Sequence, residues 1–302
     1  SIIKAIIRYI PSGNESVFFY HELVTKDVNA IYVAVFASLG FFYFFSTKER
    51  NTFENCALWL LAIFIFLLSS KSIIFIDFLL VCCFYVYFAQ IRNSVKWVTV
   101  SSIAVFLFCS LMFVPEIRQR FLIEYETAFV DNTVNRDFDS NGVEIYNISL
   151  RQAWNNEHFK QNNYFPGTAL RVYQARIFGE MLREDHIFFT GYGLEASQQK
   201  IQDKTKEHNL YAGYGEFNFH NEYIQIFAEI GIFGLLILIG MLIINARRAF
   251  ADKNFLHIVF AVTMLVLFLT ESFFCRQRGL LFFITLYCIF TAIERPKPAE
   301  AN

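Results

Sequence analysis

Charge is scarce in this sequence, and cysteine is absent from its one long polar stretch. Only 18% of the 302 residues are Asp, Glu, Lys or Arg, and the net charge is −1. That balance gives no electrostatic argument for binding nucleic acid. The six cysteines, Cys56, Cys82, Cys83, Cys109, Cys275 and Cys288, all lie in or beside apolar runs, and none falls between residues 116 and 219. A disulfide framework is therefore not expected, and no metal-site spacing appears. Cys82 and Cys83 point in different directions on a helix and read as small buried hydrophobes. The chain also lacks an initiator Met and a charged-then-apolar-then-small signal pattern. It opens at Ser1, and the expectation is a fragment from which earlier membrane spans are missing.

Apolar residues, by contrast, are abundant. They make up 55% of the chain, and 38 residues are Phe; an ordinary soluble domain holds about 45–50% by a looser count. They cluster in runs of the length that crosses a bilayer, about 20 residues. The expected fold is an all-α polytopic membrane protein with about seven transmembrane helices, near 30–45, 56–68, 73–88, 97–114, 223–244, 255–270 and 279–293. The domains then read as an outer or interfacial segment at 1–28, four helices at 29–115, a large, partly helical loop at 116–219, three helices at 220–293 and a tail at 294–302.

The short loops set the orientation. Lys48, Arg50, Arg92, Lys96, Arg247, Arg248, Lys253, Arg295 and Lys297 fall on one side, and only Lys71, Arg276 and Arg278 on the other. The first side is then cytoplasmic and the 116–219 loop lies outside. The three outer basic residues fit two readings, snorkelling to lipid headgroups and a cluster that binds a membrane-embedded anion.

The loop holds 11 Lys or Arg and 15 Asp or Glu, so it is mildly acidic. It is too long for a plain connector. Asp137-x-Asp139-x-Asn141-Gly142 starts like a calcium loop, but Ile148 stands where that loop needs Glu, so it reads as a turn. Leu170, Val172, Tyr173, Ile177, Phe178, Met181 and Leu182 recur at helical spacing and predict a helix over 169–183. A turn follows at Gly191-Tyr192-Gly193. Tyr211, Tyr214 and Phe217 fit either interfacial packing or a platform for sugar rings.

The loop ends at His220-Asn221, where an apolar helix begins that carries Glu229, Gly231 and Gly234. At about 1.5 Å per residue, Glu229 lies roughly 13 Å along the axis from His220. That depth is within the membrane, where an ionisable side chain has a partner or a job. Glu229 reads as a structural residue paired with an Arg or a backbone group. Gly231 and Gly234 read as sites of close helix packing.

His-Asn, an apolar helix, Glu-x-Gly and a further Gly resemble the signature of the O-antigen ligase / O-antigen polymerase family of bacterial membrane glycosyltransferases. The resemblance covers most of the chain from the second span onward. It implies a GT-C-like fold and transfer of a glycan from undecaprenyl diphosphate to an acceptor hydroxyl, at the periplasmic face of the cytoplasmic (inner) membrane. The implied chemistry is inverting and needs no metal or cofactor. The implied partners are the lipid-linked glycan, an acceptor glycolipid, glycan or protein, and the bilayer. His220 would be the base or a diphosphate contact. The family's loop arginine matches Arg171, with Arg176 as competitor, because the family's aromatic and its Pro before the glycines are absent here. Lys71 stands where the family has Arg, and so keeps the charge without the bidentate fork. Lys71, Arg176, Asn221, Tyr223, Arg276 and Arg278 are the remaining expected substrate contacts. The leaning is toward a ligase; a polymerase and a protein O-oligosaccharyltransferase of the same family share these motifs. Other classes are a transporter or flippase, which expects mid-membrane charges and internal repeats, and a membrane scaffold. The early spans look nearly free of charge, and no repeat is visible.

Overall fold

The computed structural model describes residues 2–24, 29–90, 92–113, 115–135 and 144–292. The Asp137–Gly142 turn and the tail with Arg295 and Lys297 lie outside the described residues. The helices in chain order are α1 (Ile2–Ser12), α2 (Tyr20–Leu23), α3 (Ala30–Ser46), α4 (Thr52–Leu68), α5 (Lys71–Cys83, continuing as a π turn to Phe88), α6 (Asn93–Phe113), α7 (Pro115–Phe129), α8 (Leu150–Asn155), α9 (Gly167–Glu184), α10 (Ser197–Glu207), α11 (Glu222–Asp252), α12 (Phe255–Leu267) and α13 (Gln277–Ala292). The chain is thus mostly helical. Three strands of two residues each, β1 (Thr133–Val134), β2 (Tyr146–Asn147) and β3 (Asn163–Tyr164), qualify the all-α expectation. β1 runs antiparallel and β3 parallel to β2. They form in the Asn-rich part of the loop, where Asn135 Nδ2 also donates to Asn147 Oδ1 at 2.8 Å.

The chain divides into two compact units. One comprises residues 1–117, 242–267 and 276–302; the other comprises 118–241 and 268–275. In the first, local signals set the helix ends. Asn29 caps α3 by accepting from the Ile31 N–H, and Asn51 with Glu54 forms a capping box on α4. α3 buries small residues, Ala30, Ala34, Ala37 and Ser38, which lets neighbouring backbones approach closely. Phe42, Phe84, Phe88 and Phe255 pack ring to ring at 4.8–5.8 Å. Outward-facing side chains include Phe53, Trp59, Ile63, Phe75, Trp97, Phe108 and Phe113, all more than half exposed. Such a surface suits hydrocarbon and not water. The segments Lys71–Phe88 and Glu222–Asp252 are each long and apolar enough to cross a membrane; α3, α4, α12 and α13 are shorter apolar helices.

One residue departs from the reading of charge-poor early spans. Asp77 on α5 is buried, and its Oδ1 accepts from Ser38 Oγ at 2.5 Å. The Ser38 hydroxyl serves one oxygen of this buried carboxyl group, and Oδ2 is buried without a hydrogen-bond partner among the described residues.

The second unit has its own core. α9 turns Leu170, Tyr173, Ile177, Phe178 and Met181 inward against Ile148, Phe159, Phe165, Ile187, Ile201, Leu210 and Phe219. Fully burying each such side chain is worth about 1.5–3 kcal/mol. α8 is short but carries a capping box between Ser149 and Gln152. Ala228, in the first half of α11, belongs to the same core.

Candidate functional site

α11 does not run straight. Gly231 has φ +77° and ψ −168°, a region open essentially to glycine alone. The helix breaks there, and the 188–193 turn enters the gap. Tyr192 N–H donates to Ala228 O at 2.8 Å, Gly193 N–H to Glu229 O at 2.9 Å, and Ile232 N–H to Phe188 O at 2.8 Å. A Cβ on Gly231 would lie 2.4 Å from the Phe189 carbonyl, and one on Gly191 2.3 Å from that of Glu229. Gly231 therefore receives a loop backbone rather than a neighbouring helix. Gly234 sits beneath Ile230 across the break, where a Cβ would come within 2.6 Å of the Ile230 Cβ.

The break leaves a short helix, 222–230, whose N-terminus is tightly specified. Asn221 caps it by accepting from Ile224 N–H at 3.0 Å. The rest of Asn221 holds the 268–275 segment: its N–H donates to Ser272 Oγ at 3.1 Å, and its Nδ2 to Leu269 O at 3.2 Å. Glu222 N–H donates to Phe268 O at 2.8 Å, and Phe274 N–H donates to Glu222 Oε2 at 2.8 Å. Tyr223 packs its ring on Phe268. Asn221 thus uses both ends of its side chain to build the site. Glu229 accepts from Gln225 Nε2 at 2.6 Å and Ser197 Oγ at 3.3 Å; an amide and a hydroxyl take the place of the Arg or backbone partner expected for it.

His220 stands immediately before this cap with φ +46°. The turn is held by Asn218 Oδ1, which accepts from His220 N–H at 3.0 Å, and by Phe219, fully buried in the core. The imidazole is 25% exposed, and its Nδ1 lies 3.5 Å from Glu271 Oε2. Nδ1 is buried and makes no aligned hydrogen bond among the described residues.

Glu271 joins the two expected catalytic residues. Its side chain is 8% exposed, and its Oε1 accepts from Arg171 Nη2 at 3.0 Å. Arg171 also donates through Nε to Thr270 O at 3.0 Å and through Nη1 to Gly167 O at 3.1 Å. Three of the five guanidinium N–H groups are thus engaged, and the side chain stays one-third exposed. The result is one buried carboxylate that pairs with the Arg171 cation and lies beside the His220 imidazole.

Arg176 lies elsewhere. Five residues along an α-helix turn a side chain by roughly 140° from the first. Arg176 donates to Glu180 Oε1 at 2.8 Å and to Asn156 O at 2.5 Å. It belongs to a buried cluster in which Lys204 pairs with Glu184 at 2.7 Å and Glu207 at 2.9 Å. There His208 lies between Tyr173 OH, 3.1 Å from Nδ1, and Glu180 Oε2, 3.3 Å from Nε2. Burial is the main influence pushing the His208 imidazole below its ordinary value. Lys71 opens α5, and Arg276 and Arg278 stand at the start of α13; all three belong to the first unit.

Glu271 was not among the expected site residues. Its signal is the Thr270-Glu271-Ser272 triplet that interrupts an apolar run. A carboxylate there needs a partner by the same argument applied to Glu229.

A family model described as O-antigen ligase matches residues 56–239. A comparison with curated proteins finds no match. The matched stretch contains Arg171, His220, Glu229 and both glycines of the helix break, while Glu271 lies beyond it. With more than half of its length matched, this chain belongs to the O-antigen ligase family of membrane glycosyltransferases.

Proposed function

We propose that the chain transfers a glycan from undecaprenyl diphosphate to an acceptor hydroxyl at the periplasmic face of the inner membrane. The observation that carries this reading is the Arg171–Glu271–His220 constellation. In the step, the acceptor oxygen attacks the anomeric carbon as the carbon–oxygen bond to the diphosphate breaks. The configuration inverts, and undecaprenyl diphosphate leaves. The acceptor proton passes to His220 Nε2. Glu271, beside Nδ1, stabilises the imidazolium that forms, and its 3.5 Å separation shortens in the substrate complex, as often happens in such sites. The exposed edge of Arg171 meets the charge that builds on the leaving diphosphate. Because Thr270, Gly167 and Glu271 already hold the guanidinium, no reorganisation is needed as that charge develops. The cation then fills the role that a divalent ion has in other sugar transferases. The acceptor is a sugar of a lipid A core or a similar glycolipid.

Full-length protein in proteoliposomes, given lipid-linked glycan, acceptor and chelator, tests this. Wild type should release undecaprenyl diphosphate and form product, and folded His220→Ala and Arg171→Ala should lose both. Equal turnover in wild type and His220→Ala would remove the imidazole from the step. Loss of wild-type turnover on adding chelator would show that a metal is required.

A further inference from the structure

We infer that Tyr211, Tyr214 and Phe217 form an aromatic track that holds the sugar rings of the glycan and leads them to His220. This deepens the transferase reading and rests on it. The three rings and the imidazole recur every third residue. Their centroids are spaced at 6.4 Å from Tyr211 to Tyr214, 6.3 Å from Tyr214 to Phe217 and 5.8 Å from Phe217 to His220. The series therefore ends on the group that meets the acceptor.

The track is built in place. Tyr214 is fixed at its tip, where Phe165 N–H donates to its hydroxyl at 2.9 Å. Gln198 Nε2 donates to Gly215 O at 2.6 Å and so pins the intervening backbone. The Tyr211 ring folds back over Gly213, where a Cβ would lie 2.7 Å from the ring. Tyr214 is half-buried against the core and supports the two outer rings, of which Tyr211 stays 59% exposed and Phe217 43% exposed. Fixed, exposed aromatic faces offer apolar contact at little entropic cost on binding. A pyranose presents such a surface with its own C–H face, and its hydroxyls remain in water. Between Tyr211 and His220 the one charged residue is Glu216, so the track suits an uncharged or weakly charged sugar chain. An aromatic belt at a membrane interface requires only a common depth; it does not require the rings to line up on an imidazole.

The test uses full-length protein in detergent. The probe is glycan freed from lipid by mild acid hydrolysis of the host's own lipid-linked donor and fractionated by repeat number. Wild type should bind it saturably by saturation-transfer NMR. Tyr211→Ala and Phe217→Ala should each weaken Kd about two- to tenfold, the range for one aromatic stack. Gly213→Ala should give a similar loss while keeping every ring. Binding of this lipid-free probe does not depend on turnover, so the track stands or falls separately from the transfer step. No saturable binding by folded wild type, or an unchanged Kd in all three variants, would overturn the track. If Kd is unchanged and headgroup-labelled lipid quenches Tyr211 in vesicles, the segment is a membrane contact instead.

Discussion

Replacing Glu271 by Gln removes one charge and keeps the shape of the side chain. In the folded protein Oε1 lies 3.0 Å from Arg171 Nη2 and Oε2 lies 3.5 Å from His220 Nδ1. The guanidinium keeps its charge, so its bond to the new amide is still charge-assisted. What is lost is the attraction between the two charges, which for this half-buried pair lies between the ~0.2–1 kcal/mol of an exposed ion pair and the ~3–5 kcal/mol of a buried one. The Arg171–Glu271 contact therefore weakens by about 1–2 kcal/mol. The full penalty for breaking a buried ion pair, about 3–5 kcal/mol, does not apply, because Arg171 is one-third exposed and keeps Thr270 O and Gly167 O as acceptors. If the lost orientation is felt only as charge develops on the diphosphate, kcat falls about 5- to 30-fold, at 1.36 kcal/mol per decade. Glu271→Ala removes the side chain altogether and should lose more, while Glu271→Asp should recover part of the rate. The assay is initial-rate release of undecaprenyl diphosphate at saturating donor, with unfolding midpoints measured on the same preparations. A Glu271→Gln variant that turns over at the wild-type kcat would refute the orienting role. A lowered kcat that tracks only the loss of folded protein would refute it as well.

Arg171 and Arg176 should separate cleanly. Arg176→Ala removes the ion-pair partner of Glu180 in the buried cluster and should lower unfolding stability by about 1–3 kcal/mol, while folded protein keeps its kcat. Arg171→Ala should lose turnover even in the folded fraction, and it also lowers stability because buried Glu271 is left without its cation. Gly231→Ala should destabilise by about 3 kcal/mol or more, from backbone strain of about 1–3 kcal/mol and the 2.4 Å clash with Phe189, read as a lower midpoint in detergent. His208 is held neutral mainly by burial, with Arg176 and Lys204 in the same direction and Glu180 and Glu207 opposing. Its contribution to stability should be full above the ordinary imidazole value of about 6.5 and be lost as pH falls through that value toward its lower folded one. His208→Gln should flatten the acid side of the stability profile.

Much of the fold was legible because its causes are local. Apolar runs longer than about 12 residues read as helices rather than strands, and each expected span contains a helix. The periodic residues from Leu170 to Met181 form the buried face of α9. Asn221, expected as a substrate contact, caps α11 instead, a local role that a polar residue at the start of an apolar run can take. The small sheet was not legible, because strands of two residues leave no period to read. Nor was the use of Gly231: small residues in an apolar helix signal close approach, and the identity of what approaches lies some forty residues away, in the 188–193 turn.

By itself, the sequence determined which apolar segments are helical and where the polar loop ends, while Arg171 and His220 stood out only through the family resemblance. Hydropathy, period and capping act over a few residues, so they can be read in one dimension. Only the tertiary structure decided that Arg171 and His220 share Glu271, which lies 100 residues beyond the arginine. It also turned Arg176 into a separate cluster and gave Asp77 its Ser38 partner. Those choices depend on which distant backbones pack together and on the need of each buried charge for a partner, and no local pattern encodes them.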